Sequence, residues 1–327
     1  MTFYLILAYS AFLLSLLGTR LLILAARNKS LFIARDGRLA KPVPESGGIA
    51  VVMSLIICLL IADIDYGVVL AMFMLASISL LSDLIAVPKF IRLLVQLLAV
   101  LIPVGLLQQP LFGGIAPLWA DKFLAAMLWV WFIEIFERLD GIDGLAPTQM
   151  ISIATGFALI VAFCGGFPDA LSVYSLIIMA AGCGFFWWNW APAKIHLGEV
   201  GSVPIGYLLG YLLFIAAASG YGYAALILPA YYLCDGALTA LRRAWRGKET
   251  DTPHFEHFYQ LAVKSGRRHD SVVRYIFGVN VILIALAIFT VIDPGFAFFY
   301  ALAAYMCVFI ILGFFAYAPH NPHHEPF

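Results

Sequence analysis

The stretch LWADKFLAAMLWVWFIEIFERLDGIDGLAP, residues 118–147, joins a long apolar run to a dense group of acids. The run is long enough for a helix across a bilayer core, which takes roughly 20 apolar residues. Its end and the turn after it hold four carboxylates within ten positions, with Arg138 as the one cation among them: Glu134, Glu137, Asp140 and Asp143. One acid at a helix end needs no special reason, but four in this spacing predict a polar site at the membrane edge.

The composition of the whole chain agrees with a membrane location. Of its 327 residues, 63% are hydrophobic and 12% are charged, and the mean hydropathy is +0.97. Soluble domains contain about 25% charged residues. Backbone groups in lipid must be satisfied within the segment, and long runs without alternation exclude a β-barrel. We interpret eleven apolar runs as membrane spans, at 3–24, 48–63, 67–82, 91–108, 118–136, 149–165, 170–188, 203–218, 222–240, 272–292 and 296–317.

The predicted fold is therefore all-α and polytopic, with about 11 transmembrane helices. We expect one membrane domain over residues 1–317 and a His/Pro-rich tail, 318–327, that is disordered. Lys and Arg near span ends are retained on the cytoplasmic side. With the N-terminus outside, seventeen of the nineteen Lys and Arg residues lie inside, while Lys122 lies outside and Arg20 lies near the inner end of the first span.

The polar segments then converge on the inner face, at 41–48, 82–92, 137–144, 189–202 and 242–269. A transporter would place ionisable groups near the bilayer midplane, whereas the spans here are mostly Leu, Ile, Val, Ala and Phe, so a transporter is disfavoured. Carboxylates hold hard cations such as Mg²⁺, and Arg and Lys neutralise phosphate oxygens. A rim with both kinds of group suits a magnesium-diphosphate substrate.

Four motifs in order resemble a known family: LDGIDGLA (139–146), NWAPAKIHLGEVGSVPIG (189–206), LRRAWRGK (241–248) and HFEHFYQ (254–260). The chain is similar to the polyprenyl-phosphate N-acetylhexosamine-1-phosphate transferases of glycosyltransferase family 4, in particular to the bacterial enzymes that initiate O-antigen or other surface-glycan synthesis. The resemblance extends from residue 41 to about 269. It implies a cytoplasmic active site that transfers a sugar 1-phosphate from a UDP-sugar to undecaprenyl phosphate and releases UMP.

The resemblance also implies roles for individual residues. The catalytic residues would be Asp83, Asp140 and Asp143, and the metal ligands Glu137 and Glu199. The substrate-binding residues would be Lys41, Arg92, Asn189, Arg242, Arg243, His254 and His257. Simpler interpretations stay open. The Asp-Gly pairs at Asp140 and Asp143 can form plain turns, and Arg92 can be a cation at the inner membrane edge that binds no ligand.

The chain departs from the family pattern at four positions. Glu134 and Glu137 stand where the family has Asn, and Glu199 stands where it has a magnesium-binding Asp. Ser82 replaces the first of two adjacent Asp residues, and Asp83 matches the second. A phosphate monoester has a second pKa near 6, so the lipid phosphate needs no base to ionise it. The alternative is a catalytically silent relative that binds polyprenyl phosphate or a partner enzyme.

The expected cofactor is Mg²⁺, with Mn²⁺ as the other candidate ion. The expected partners are the UDP-sugar, undecaprenyl phosphate and membrane lipid, with a homodimer left open and no nucleic acid. The expected location is the bacterial inner (plasma) membrane. UDP-GlcNAc, UDP-GalNAc and UDP-linked deoxy-aminosugars all remain candidate donors.

Overall fold

The computed structural model of the protein describes residues 2–28, 43–85, 87–108, 110–111, 117–164, 169–247 and 256–317, without the side chains of residues 27, 28, 83, 84 and 169. Lys41, His254 and the tail 318–327 lie outside the described residues, so the predictions made for them stay predictions.

Throughout the described ranges the regular elements are helical, which confirms the all-α class. The α-helices are α1 (Thr2–Asn28), α2 (Gly47–Ile61), α3 (Tyr66–Leu84), α4 (Lys89–Gly105), α5 (Leu118–Leu139), α6 (Leu145–Cys164), α7 (Asp169–Asn189), α8 (Glu199–Ala218), α9 (Gly222–Ile227), α10 (Ala230–Trp245), α11 (Phe258–Lys264), α12 (His269–Ile292) and α13 (Ala297–Ala316). A 3₁₀ turn, Pro294–Phe296, precedes α13.

Ten of the eleven predicted spans each correspond to one helix. By length and composition, six helices of the described part could cross a membrane, and Gly47–Ile61 and Tyr66–Ser82 are shorter apolar helices. This pattern confirms a polytopic helical membrane protein.

The ninth predicted span, 222–240, is wrong as one continuous helix. It is divided into α9 and α10, which meet at Leu228 and Pro229. Proline has no N–H to donate to the preceding turn, so the helix breaks there.

Polar side chains inside the helices also contact one another near this break. The Gln149 amide donates to the Leu228 carbonyl over 3.3 Å, and the Asn280 amide donates to Gln149 over 3.0 Å. The interiors of the predicted spans are thus less uniformly apolar than expected.

Close helix packing brings the ends of distant segments together. Gly48 of α2 and Gly201 of α8 lie so near each other that a Cβ on either would overlap the other's backbone. The Gly48 amide donates to the Leu197 carbonyl over 2.8 Å, just before α8 begins. The first turns of α2 and α8 are therefore held side by side, next to the chain that precedes Glu199.

An aromatic cluster fixes α5 against α8. Trp129 stacks on Tyr207 and Phe214, with ring centroids 5.2 and 5.3 Å apart, and its indole N–H donates to the Tyr207 carbonyl over 3.0 Å. A Cβ at Gly210 would overlap this indole, so the small residue is required for the contact. The packing aligns the last turn of α5, with its acids, with the first turn of α8.

Candidate active site

Arg92 joins two of the predicted metal ligands. Its guanidinium donates to Oε1 of Glu137 and lies 3.2 Å from Oε2 of Glu199. These side chains come from α4, α5 and α8, and all three are partly buried. The structure therefore brings together three residues predicted from separate motifs, and the arginine predicted to hold phosphate here pairs with acids.

This acidic region, defined as Arg92, Glu137 and Glu199, contains a carboxylate oxygen without a donor. Oε2 of Glu137 is buried and makes no hydrogen bond, whereas the buried Oε2 of Glu199 lies 3.2 Å from the Arg92 guanidinium. A buried carboxylate oxygen without a donor is costly unless a cation approaches it. Glu137, with Glu199 beside it, thus offers oxygen ligands for a divalent cation.

The donor set fits Mg²⁺ in the way phosphate-transfer sites hold it. The described residues contain no group of three or more His, Cys, Asp or Glu side chains that could hold a metal ion. Mg²⁺ is usually bound through one or two carboxylates, and water and substrate phosphates supply the other oxygens. Glu137 and Glu199 would be those two carboxylates.

Glu134 belongs to a different set of contacts. Its Oε1 accepts from the Gln96 amide over 3.0 Å, and its Oε2 lies 3.4 Å from the Arg138 guanidinium. Both oxygens are therefore paired within the protein. Of the two glutamates that replace family asparagines, Glu137 is the one with an acceptor to spare.

Asp143, in the loop between α5 and α6, is surrounded by donors. Its carboxylate accepts from the Ala193 amide over 3.1 Å and lies 3.6 Å from Nδ1 of His269 and 4.0 Å from Nδ1 of His196. Burial would raise the pKa of Asp143, but the contacts with His269 and Ala193 outweigh it and lower the pKa. Asp143 is thereby held as a carboxylate.

Sequence reasoning missed His196 and His269 as neighbours of Asp143. His196 lies inside a recognised motif, but the motif does not predict its contact with Asp143, which is more than 50 positions away. His269 is the first residue of α12 and belongs to no motif. Only the packing of α12 against α6 brings it to the loop.

Asp140 has the opposite electrostatic situation from Asp143. It directly follows the last turn of α5, and burial, together with nearby Glu45 and Asp143, raises its pKa to about 7. Near neutral pH its carboxyl is therefore about half protonated in the absence of a cation. A positive ligand would favour the ionised form.

Asn189 positions the loop that holds both aspartates. The side chain is buried, its oxygen accepts from the Gly144 amide over 2.9 Å, and its nitrogen donates to the Ile195 carbonyl over 2.9 Å. Gly144 has a φ of +82°, which a residue with a side chain adopts only with strain. These contacts give Asn189 a positioning role, and the substrate contact predicted for it stays a prediction.

A second cluster lies beside the first, around His257. Nδ1 of His257 is 2.9 Å from Oδ1 of Asp235, and Arg243 pairs with Glu256 over 3.4 Å. Arg242 donates to the Glu256 carbonyl over 2.7 Å and lies over the Phe258 ring. We call Arg242, Arg243 and His257, together with their acidic partners Asp235 and Glu256, the basic region.

Two residues of the basic region, Arg243 and His257, line a cavity of about 360 Å³ between α4, α5 and α10. Its apolar walls include Leu93, Met127, Val130, Trp131 and Ile135. Its cationic lining consists of Lys89, Arg138 and Arg243, and Glu134 and His257 also face it. Arg242 is not among the lining residues. The cavity can accept an elongated apolar group with an anionic head.

Ser82 and Asp83 lie in the last turn of α3, next in the chain to α4 and Arg92. The Asp83 side chain is outside the description, so its catalytic role stays a prediction.

The model of glycosyl transferase family 4 matches residues 66–217, from the start of α3 to the end of α8. Residues 66–217 of the chain are thus similar to glycosyl transferase family 4. This match supports the resemblance recognised from the motifs. The matched segment contains the acidic region and the loop with Asp140 and Asp143, whereas the basic region lies beyond it.

Two curated relatives illustrate the similarity. A probable undecaprenyl-phosphate N-acetylglucosaminyl 1-phosphate transferase of Bacillus subtilis (strain 168) is 25% identical over 267 residues, which cover 76% of this chain and 73% of the relative. A phospho-N-acetylmuramoyl-pentapeptide-transferase of Syntrophus aciditrophicus (strain SB) is 32% identical over 107 residues, or 29% of this chain and 30% of that relative.

Proposed function

We propose that the protein transfers an N-acetylhexosamine 1-phosphate from a UDP-sugar to undecaprenyl phosphate, giving the lipid-diphosphate sugar and UMP. One observation supports this above the others: a carboxylate pair, with one buried oxygen of Glu137 left without a donor, lies beside an apolar cavity with cations in its lining. Glu134 faces the cavity and is one helical turn from Glu137, so the two features are neighbours on α5. Such an arrangement suits two substrates that meet at their phosphates.

The UDP-sugar would bind at the acidic region. Glu137 and Glu199 would hold Mg²⁺, or Mn²⁺, which when bound neutralises the diphosphate and withdraws charge from the reacting phosphorus. Arg92 would exchange its carboxylate partners for phosphate oxygens once a divalent cation takes over those carboxylates. Asp143, already ionised, and Asp140 would contact the nucleotide side of this site.

Undecaprenyl phosphate would bind in the cavity. Its prenyl chain would lie along the apolar wall formed by Leu93, Val130 and Trp131, and its phosphate would reach Lys89 and Arg243. Burial of each prenyl methylene or methyl contributes about 0.8 kcal/mol. The cationic end sets the position of the phosphate along the wall.

The reaction would be an in-line phosphoryl transfer. An oxygen of the lipid phosphate attacks the β-phosphorus, which bears the sugar, and the bond from that phosphorus to the bridging oxygen breaks as UMP leaves. With a second pKa near 6, the lipid phosphate is already largely dianionic at neutral pH. No proton has to be removed from it, which is compatible with Ser82 at the place of the family's first aspartate.

The positive-inside distribution supports an inner-membrane protein with its N-terminus outside and this site on the cytoplasmic side. We place the reaction at the first membrane step of cell-envelope glycan synthesis, such as O-antigen assembly. Cysteines introduced at Ala193 and Gln109 of a cysteine-free variant should be labelled from the cytoplasm and from outside, respectively. Labelling of Ala193 from outside would contradict the orientation.

UMP release tests the function itself. Purified protein in nanodiscs with undecaprenyl phosphate would be given UDP-GlcNAc, UDP-GalNAc or a UDP-linked deoxy-aminosugar, with Mg²⁺, Mn²⁺ or EDTA. We expect metal-dependent UMP release with one of these donors. Absence of release with every donor, with retained binding of undecaprenyl phosphate, would instead establish the silent relative. In that case Ser82→Asp should restore release if the loss of the aspartate caused the silence.

A further inference from the structure

Asp235 is an acid inside an otherwise largely apolar helix, and no motif pointed to it. It lies in α10 and is fully buried, with an exposed fraction of 0%. Acids within membrane spans are costly, and those that occur usually have named partners and a function. The partners of Asp235 therefore indicate what it does.

Four donors converge on the Asp235 carboxylate. Oδ1 is 2.9 Å from Nδ1 of His257, 3.2 Å from the Phe258 amide and 3.2 Å from the Thr239 hydroxyl. Oδ2 is 3.4 Å from the Tyr231 hydroxyl. Two of these donors, from His257 and Phe258, belong to the start of α11. Asp235 thus ties α11 to α10 through the histidine and its neighbouring amide.

The contacts of Asp235 favour a donating Nδ1 on the histidine ring. The Phe258 amide can only donate, so Oδ1 of Asp235 accepts from it, and an Nδ1–H of His257 would donate to the same oxygen. The carboxylate holds the ring in one orientation, as the buried aspartate does for the histidine of a Ser-His-Asp triad.

The ring held in this way faces the cavity together with Lys89, Arg138 and Arg243. These neighbours make that end of the cavity attractive to an anion. In a doubly protonated imidazole both ring nitrogens are donors, so Nε2 can donate to a phosphate while Nδ1 donates to Asp235.

We propose that Asp235 is a positioning residue that acts through His257. It orients the ring so that Nε2 donates to a phosphate oxygen in the cavity. The identification of the phosphate with undecaprenyl phosphate rests on the proposed function. The positioning itself requires only that the cavity binds a lipid-linked phosphate.

Equilibrium binding of radiolabelled undecaprenyl phosphate to detergent-solubilised protein tests this without turnover. Asp235→Asn and His257→Gln should each weaken binding by about tenfold to a hundredfold, as expected for a lost hydrogen bond to a charged group. The double variant should bind no more weakly than the weaker single variant, because interacting residues are not additive. Tyr231→Phe is the matched control: it removes a donor to Asp235 without touching His257, and should leave binding within about twofold.

Turnover adds a readout that a general loss of structure would not give. Asp235→Asn should raise KM for undecaprenyl phosphate by the same factor as the binding constant, with KM for the UDP-sugar unchanged. If Asp235→Asn is not recovered folded, Asp235→Glu takes its place, and the same selective loss is expected because the displaced carboxylate no longer meets Nδ1.

Additive effects of the two single variants, or unchanged binding in either, would overturn the positioning role, as would a wild type that does not bind undecaprenyl phosphate. Wild-type binding without UMP release would overturn the proposed function alone.

Discussion

The acidic and basic regions contain the same kinds of side chain but leave opposite charges for a ligand. In the acidic region one guanidinium, Arg92, is shared by Glu137 and Glu199, and a buried oxygen of Glu137 has no donor. In the basic region the carboxylate of Glu256 accepts from Arg243, and the backbone carbonyl of Glu256 accepts from Arg242. The other acid there, Asp235, has a full set of donors.

The difference shows that the charge of the ligand that a region can bind depends more on which side chains are already paired than on how many acids and bases the region contains. Buried carboxylates whose oxygens are already satisfied neither attract a cation nor need one. An excess of acid over arginine therefore predicts a cation at Glu137 and Glu199. The lining of the cavity contains three cations, Lys89, Arg138 and Arg243, and one acid, Glu134, which predicts an anionic ligand there.

The largest expected effect would come from removing an acid of the acidic region. Glu199→Ala should lower turnover by several orders of magnitude, as should Asp140→Ala and Asp143→Ala, because the diphosphate would lose its metal or nucleotide contacts. UMP release at saturating Mg²⁺ measures this.

Glu134→Gln is the matched control for Glu199→Ala. It changes a neighbouring acid whose two oxygens are already paired with Gln96 and Arg138, so it should lower turnover far less. Near-normal turnover of the Glu199 variant would mean that Glu199 is not a metal ligand. The proposed difference between a cation-binding and an anion-binding region would then be wrong.

A smaller, selective effect is expected in the basic region. Arg243→Ala should raise KM for undecaprenyl phosphate by about tenfold to a hundredfold, because a charged hydrogen bond to phosphate is lost, while KM for the UDP-sugar should stay within about twofold. Steady-state kinetics with each substrate varied in turn provides the measurement. Arg246→Ala, at an exposed position one turn onward, is the control and should change neither constant. An equal rise in both KM values would mean that the two regions are not separate substrate sites.

The two aspartates of the loop offer a comparison in stability against pH. The pKa of Asp140 is raised to about 7, so the folded protein holds its proton more tightly than the unfolded chain, whose value is about 4. The contribution of Asp140 to the free energy of unfolding therefore falls as pH rises from about 4 to 7. In EDTA, the Tm of Asp140→Asn relative to wild type should therefore be higher at pH 8 than at pH 5.

Asp143 should behave in the opposite sense. Its pKa is lowered, so its ionised form stabilises the fold above the ordinary pKa, and that stability is lost only as pH falls through the lowered value. Asp143→Asn should lower Tm similarly at pH 5 and pH 8. A common pH trend for both variants would contradict the different environments of the two carboxyls.

The smallest effect is expected at Ser82. Ser82→Ala would remove at most one hydrogen bond, of about 0.5 to 1.5 kcal/mol, which corresponds to about tenfold or less in turnover. Asp83→Asn should be far more severe if Asp83 keeps the electrostatic role implied by the family. UMP release from both variants decides this. A loss of many orders of magnitude in Ser82→Ala would mean that the serine does the work of the missing aspartate.

Much of the site could be predicted because the motifs place its residues at helix ends. Arg92, Glu137 and Glu199 were chosen from three separate segments, and they meet. The partners of Asp143 and His257 could not be predicted in this way. His269 belongs to no motif, and Asp235 is hidden in a run interpreted only by its apolar residues.

By itself, the sequence determined the helical membrane class, the positions of most helices and the family, because hydropathy over about 20 residues and short motifs are local properties. Only the tertiary structure decided that α9 and α10 are separate helices, that Arg92 lies between two acids, and that Asp235 holds His257. Each of these depends on contacts across 22 to 107 positions of the chain or on a local break stabilised by a distant side chain. Helix packing sets such contacts, and with them which oxygens and cations are left for a ligand.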